Sequence, residues 1–421
     1  MYKAIRSRLI AMNFLEFAVW GAYLTSMGSY LVNINLAEKI GIFYAMQGIV
    51  SIFMPALIGI IADKYIQAQR VLSICHGIAG VAMIAAGYYG MTAETVEFST
   101  LFLLYSISVA FFMPTIALSN SVAYSALEGA GYDTVKDFPP IRVFGTVGFI
   151  CSMLFVNWMT DANDVQYQLT YNQFFVSGVI GLVLMAYALT LPNCPVKKNE
   201  KKQSLVEAMG LNAFSLFKNK DMAIFFIFSM LLGVSLQITN GFANPFITHF
   251  KELPEFATTW GANNANALIS LSQVSETLCI LLIPFCMKRF GIKKVMLIAM
   301  FAWVLRFGLF GVGNPGAGVW MFILSCIVYG VAFDFFNVSG SLYVNLKTNT
   351  DIRSSAQGLF MLMTNGLGAT IGTLSAQAIV NHSVYSAAVP NWSAAWYVFA
   401  GFALVVAILF IFLFRDPDKR S

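Results

Sequence analysis

Residues 268–284 read LISLSQVSETLCILLIP. Nearly all of this stretch suits hydrocarbon, yet Gln273 and Glu276 stand in its middle, three residues apart. On a helix that spacing puts both on one face. On a water-washed helix a glutamate needs no explanation. In a bilayer core a charge costs on the order of 2.5–3.5 kcal/mol, so it faces a cavity or a partner. Whether the surroundings are water or lipid decides how the stretch is read.

Composition settles the surroundings. The chain has 421 residues, 58% hydrophobic and 11% charged, with a mean hydropathy of +0.72. Soluble domains carry about 25% charged residues. Apolar runs of about 20 residues recur, the length a helix needs to cross a bilayer. The alternating segments of an outer-membrane barrel do not occur. An all-α membrane protein follows, its backbone polar groups satisfied within helices.

The runs fall at 9–31, 41–62, 71–90, 99–121, 141–160, 172–191, 222–247, 265–287, 293–312, 317–343, 355–380 and 393–414, which gives twelve spans. The basic start MYKAIRSRLIAMNF looks like a signal peptide, but its apolar run continues without a small-residue cleavage site, so it is read as a retained first span. With a cytoplasmic N-terminus, Lys39 and Lys251 are the only basic residues in outward loops. Arg142 and Arg306 fall within spans, and the rest of the 25 Lys and Arg lie on the cytoplasmic side. This asymmetry satisfies the positive-inside rule and places both termini in the cytoplasm.

The longest connection, 192–221, carries Lys197, Lys198, Lys201 and Lys202. It divides the chain into an N-terminal six-helix bundle (1–192), a cytoplasmic linker (193–220) and a C-terminal six-helix bundle (221–421). The stretch GIIADKYIQAQRVLSI (59–74) and the stretch CMKRFGIKKVMLI (286–298) echo each other as basic turns between apolar runs. Two pseudo-symmetric six-helix bundles describe the major facilitator fold, with its substrate site near the midplane. Gly59, Asp63, Lys64 and Arg70 fit that superfamily's cytoplasmic signature loosely; Ile66 stands where a glycine is usual.

Five charged residues lie inside spans: Glu16, Arg142, Glu276, Arg306 and Asp334. Gln237 and Asn240 share a face of span seven, with Asn244 a turn further on and Pro245 as a candidate helix break. Gln273 and Glu276 repeat the spacing in span eight. Tyr329, Phe333 and Asn337 line one face of span ten beside Asp334. In span five a helix starting at Pro139 and Pro140 aligns Arg142, Thr146 and Phe149. Structural roles compete with functional ones. Amides cross-link membrane helices, arginines snorkel, aromatic stripes pack, and buried carboxylates pair with arginine. Arg306 has no polar companion on its face and suits a structural pairing. The functional reading puts Glu276 and Asp334 in a wet cleft, where a carboxylate resists ionisation and can carry a proton. Rings and amides beside it suit a solute with a flat ring and several hydroxyls.

The six cysteines show no paired spacing, and His76, His249 and His382 are scattered. Neither a disulfide framework nor a metal site is expected. No Ser/His/Asp set or phosphate-cradling glycine loop appears, so an enzyme is not expected. No cofactor and no nucleic-acid partner is expected either.

Several blocks resemble the bacterial nucleoside:proton symporters of the major facilitator superfamily. They are FLEFAVWGAYLTSMGSY, DFPPIRVFGTVGF, FKNKDMAIFFIFSMLLGVSLQITN, SQVSETL, RFGIKKVMLIAMFAWVLRFGLF, IVYGVAFDFFNVSGS and RSSAQGLFMLMTNG. The resemblance implies an importer of the bacterial cytoplasmic (inner) membrane. It would move nucleosides such as uridine or adenosine inward with protons, without ATP, as a monomer in the lipid bilayer. By the same resemblance the nucleoside site falls on Arg142, Thr146, Phe149, Gln237, Asn240, Gln273, Glu276, Tyr329, Phe333 and Asp334. Glu276 and Asp334 become the leading proton carriers. Position 16 departs from the family pattern, with glutamate where glutamine is expected, and so adds Glu16 as a third carrier. The competing readings are a proton-coupled importer of another polar solute such as a sugar, and a membrane sensor on the same fold.

Overall fold

The computed structural model describes residues 2–194, 211–349 and 352–415. The basic cluster at Lys197, Lys198, Lys201 and Lys202 lies outside the described residues, as does most of the expected linker. Among the described residues the chain is helical, with one isolated bridge between Thr160 and Gln166. Large apolar side chains stand exposed along the helices, Leu281 at 74% and Phe412 at 80%. Apolar exposure on this scale calls for a lipid solvent rather than water.

The apolar runs become helices, and six are long single rods: Ile40–Lys64, Ala68–Thr92, Phe98–Gly129, Thr134–Trp158, Val319–Lys347 and Trp392–Leu413. Span six is shorter, Asn172–Ala188. Spans eight and nine run together as Ala265–Val312, joined at Gly291 with φ 77° and ψ 169°. That backbone conformation is open to glycine at little cost and lets the chain fold back between the two spans.

Three spans are interrupted. The first is Tyr2–Gly21 followed by Met27–Asn33. The seventh is Lys220–Leu236 followed by Ile238–His249, with Gln237 between them. Pro245 lies inside the second segment, so the break falls at Gln237 and not at the proline; membrane helices absorb a proline when neighbours satisfy the freed carbonyl. The eleventh changes to a π-helical turn over Leu362–Gly368. Span five, Thr134–Trp158, starts earlier than Pro139, with Asp137 in its first turn. There the carboxylate suits the helix dipole and pairs with Arg6 at 3.0 Å.

The chain forms two compact units: Met1–Leu36 with Ile49–Leu205, and Ala37–Gly48 with Val206–Ser421. In the first unit span one packs against spans five and six, and the Ser177 hydroxyl of span six donates to the Val19 carbonyl at 2.8 Å. The second has an aromatic core in which Phe310 and Trp396 lie 4.9 Å apart and Phe246 meets Phe322 at 5.4 Å. The start of span two belongs to this second unit, where Gln377 Nε2 donates to the Ala37 carbonyl at 3.1 Å.

Candidate functional site

In the second unit, spans seven, eight and ten carry the expected polar set. Gln237 sits at the interruption of span seven, 8% exposed. The Asn240 amide donates to its Oε1 at 2.5 Å, so the two amides act as one group. Asn244 points elsewhere: it is fully buried and donates to Asn266 Oδ1 at 2.9 Å, tying the start of span eight to span seven.

On span eight, Gln273 and Glu276 are half-buried, as a cleft lining would be. Ser275 lies between them and donates to the Ile327 carbonyl of span ten. The approach is close because residue 330 is glycine; a Cβ there would meet the Ser275 backbone at 2.6 Å. That contact brings the Glu276 charge within electrostatic reach of Tyr329 and Asp334.

On span ten, Tyr329 and Phe333 stack with centroids 5.7 Å apart and 5° between planes. Trp303 meets Tyr329 edge-on at 6.0 Å. Phe333 and Asn337 line a crevice with Leu236 and Trp303. Asp334 is 5% exposed, and its Oδ2 has no hydrogen-bond partner among the described residues. Arg306 is 1% exposed and forms no ion pair there. Its Nη1 donates to the Ser325 carbonyl at 2.8 Å, and its guanidinium lies 4.6 Å from the Tyr329 centroid. The arginine thus holds a ring that belongs to the expected site.

In the first unit, Arg142 stacks its guanidinium 3.8 Å from the Phe17 centroid. Phe149 is 5% exposed and meets Trp20 edge-on at 6.2 Å, while Thr146 is half-buried. Glu16 is not with them. It is fully buried, 2.8 Å from His76 Nε2, and accepts from the Thr115 hydroxyl at 2.6 Å. Sequence reasoning found Glu16 and missed its partner. A histidine inside an apolar run was the signal available. Among the described residues no group of three or more His, Cys, Asp or Glu stands together as a metal site would.

The family model described as "Nucleoside H+ symporter" matches residues 3–419. The chain is 46% identical to the xanthosine permease of Escherichia coli (strain K12) over 423 residues, covering 99% of this chain and 98% of that protein. It is 42% identical to the nucleoside permease NupG of the same organism over 419 residues, with 99% and 97% covered. The crystal structure of NupG superposes with a TM-score of 0.88, covering 98% of this chain and 99% of that one. A D-xylose–proton symporter at 13% identity superposes with a TM-score of 0.71, which shows the shared major facilitator fold. This chain belongs to the nucleoside H+ symporter family and is a multi-pass membrane transporter that imports nucleosides with protons.

Proposed function

We propose that this transporter takes up uridine and adenosine across the bacterial cytoplasmic membrane, as a monomer with both termini in the cytoplasm. The observation that carries the substrate reading is the arrangement on spans seven, eight and ten. A stacked aromatic pair suits a flat base, and the Gln237–Asn240 amides with Gln273 and Glu276 suit ribose hydroxyls. Arg142, Thr146 and Phe149 are the corresponding contributors in the first unit. Transport in this fold proceeds by alternating access.

Glu276 and Asp334 are the proton carriers in this reading. The buried Asp334 and the half-buried Glu276, in mutual reach, repel when both are ionised, so one proton relieves the pair. A proton taken from outside would favour nucleoside binding, and hydration from the cytoplasm would release both.

Uptake of radiolabelled uridine into proteoliposomes, with and without an inward proton gradient, tests this. Gradient-driven accumulation competed by adenosine and not by glucose is expected. Competition by glucose would overturn the substrate assignment; equilibration that ignores the gradient would overturn the carriers.

A further inference from the structure

The first unit holds an ionisable cluster that the substrate set leaves unused. Glu16 on span one spends both carboxylate oxygens on neighbours: Oε1 on the Thr115 hydroxyl of span four at 2.6 Å, and Oε2 on His76 Nε2 of span three at 2.8 Å. All three side chains are fully buried.

Asn13 and Trp20 lie on the same helix face as Glu16, three residues before it and four after. Asn13 Oδ1, Trp20 Nε1 and His76 Nδ1 are buried, with no hydrogen-bond partner among the described residues. Buried polar atoms nearly always bond to protein or to ordered water. A polar seam therefore runs along the inner face of span one, with the carboxylate at its centre and room in its chemistry for water.

The charges facing this seam are few. Span three contributes His76 and the Cys75 thiol, and span four the uncharged Thr115. Span five's Arg142 stacks on Phe17, and the Ser177 hydroxyl of span six is spent on Val19. Among the described residues no lysine or arginine pairs with Glu16. Among the described residues, His76 is the basic side chain within hydrogen-bond distance of the carboxylate. With a proton on His76 the pair is neutral overall; without it a buried carboxylate stands uncompensated, which is costly in a low dielectric. Imidazole is also the side-chain chemistry that exchanges protons in the physiological range.

We propose that Glu16, His76 and Thr115 form a second proton-holding site of this transporter, reached along the Asn13–Trp20 seam and separate from Glu276 and Asp334. The inference rests on the symport reading above. Each transport cycle would load and unload one proton here, the state of the pair following hydration of the seam.

The test measures the proton-to-uridine ratio in proteoliposomes from the reversal potential of uptake, for the wild-type protein, Glu16→Gln and His76→Gln. Glutamine at position 16 keeps the shape and still accepts from Thr115. In both variants the ratio is expected to fall by about one, since an imidazole exchanges a single proton, while uridine counterflow at equal pH persists. An unchanged ratio in counterflow-active variants overturns the proposal. Should neither variant fold, Thr115→Val, which removes one hydrogen bond, must shift the pH profile of uptake; an unmoved profile overturns it equally. A wild-type protein with no gradient-driven uptake is a different result, and fails the symport reading itself.

Discussion

The Tyr329 and Phe333 rings lie one helical turn apart on span ten, nearly parallel, with the Arg306 guanidinium on Tyr329 and hydrogen-bonded to the Ser325 carbonyl. The ring that would face the base is thus placed by a cation that faces the protein interior. The two residues should fail differently.

Phe333→Ala is expected to raise the uridine KM about 2- to 12-fold, the affinity equivalent of about 0.5–1.5 kcal/mol for an aromatic pair. Arg306→Lys loses planar stacking and a fixed fork of donors. It should lower thermal stability in detergent more than it changes KM. The reverse order, read from uptake kinetics and melting curves on the same preparations, would put the cleft elsewhere.

Glu276→Gln keeps the volume of the side chain and removes the charge that reaches Tyr329 and Asp334. It should abolish accumulation driven by a proton gradient. Wild-type accumulation in this variant, at matched protein levels, would leave Glu276 with no part in coupling.

Gly148 packs where a Cβ would collide with the Phe14 carbonyl of span one, while a Cβ at Gly308 meets nothing within 4 Å. Overpacking of this kind costs about 1–3 kcal/mol. Gly148→Ala should lower the melting temperature and Gly308→Ala should not; equal midpoints would mean that spans one and five are free to separate.

Cys194 lies beyond the end of span six, and burial holds its thiol above the ordinary 9.0, partly offset by hydrogen bonds with Ser125 and Gln69. The reactive thiolate is therefore scarce at pH 8 and grows as pH rises past that ordinary value. Maleimide labelling followed by mass spectrometry should find Cys194 slower than a free thiol in solution, with a rate that climbs at alkaline pH. Rapid labelling at pH 7 would mean the end of span six opens to water.

Much of the candidate site was legible in the sequence, because polar residues in apolar runs are few and helical spacing assigns them to faces. Gln237 with Asn240, and Tyr329 with Phe333, were paired by spacing, and the structure joins each pair. Spacing could not separate Asn244 from that set, since the face it shares turns toward Asn266. Nor could it show that Arg306, without polar neighbours on its own helix, finds Ser325 and Tyr329 on the next.

The sequence by itself determined the lipid setting, the spans and the in-span charges, because these follow from local hydropathy and from the cost of an unsatisfied backbone in a bilayer. Only the tertiary structure decided which buried charges meet. Glu16 and His76 are 60 positions apart, and no local rule links them. Their contact exists because three helices pack side by side, and a carboxylate in that interior needs a partner for its charge or its hydrogen bonds.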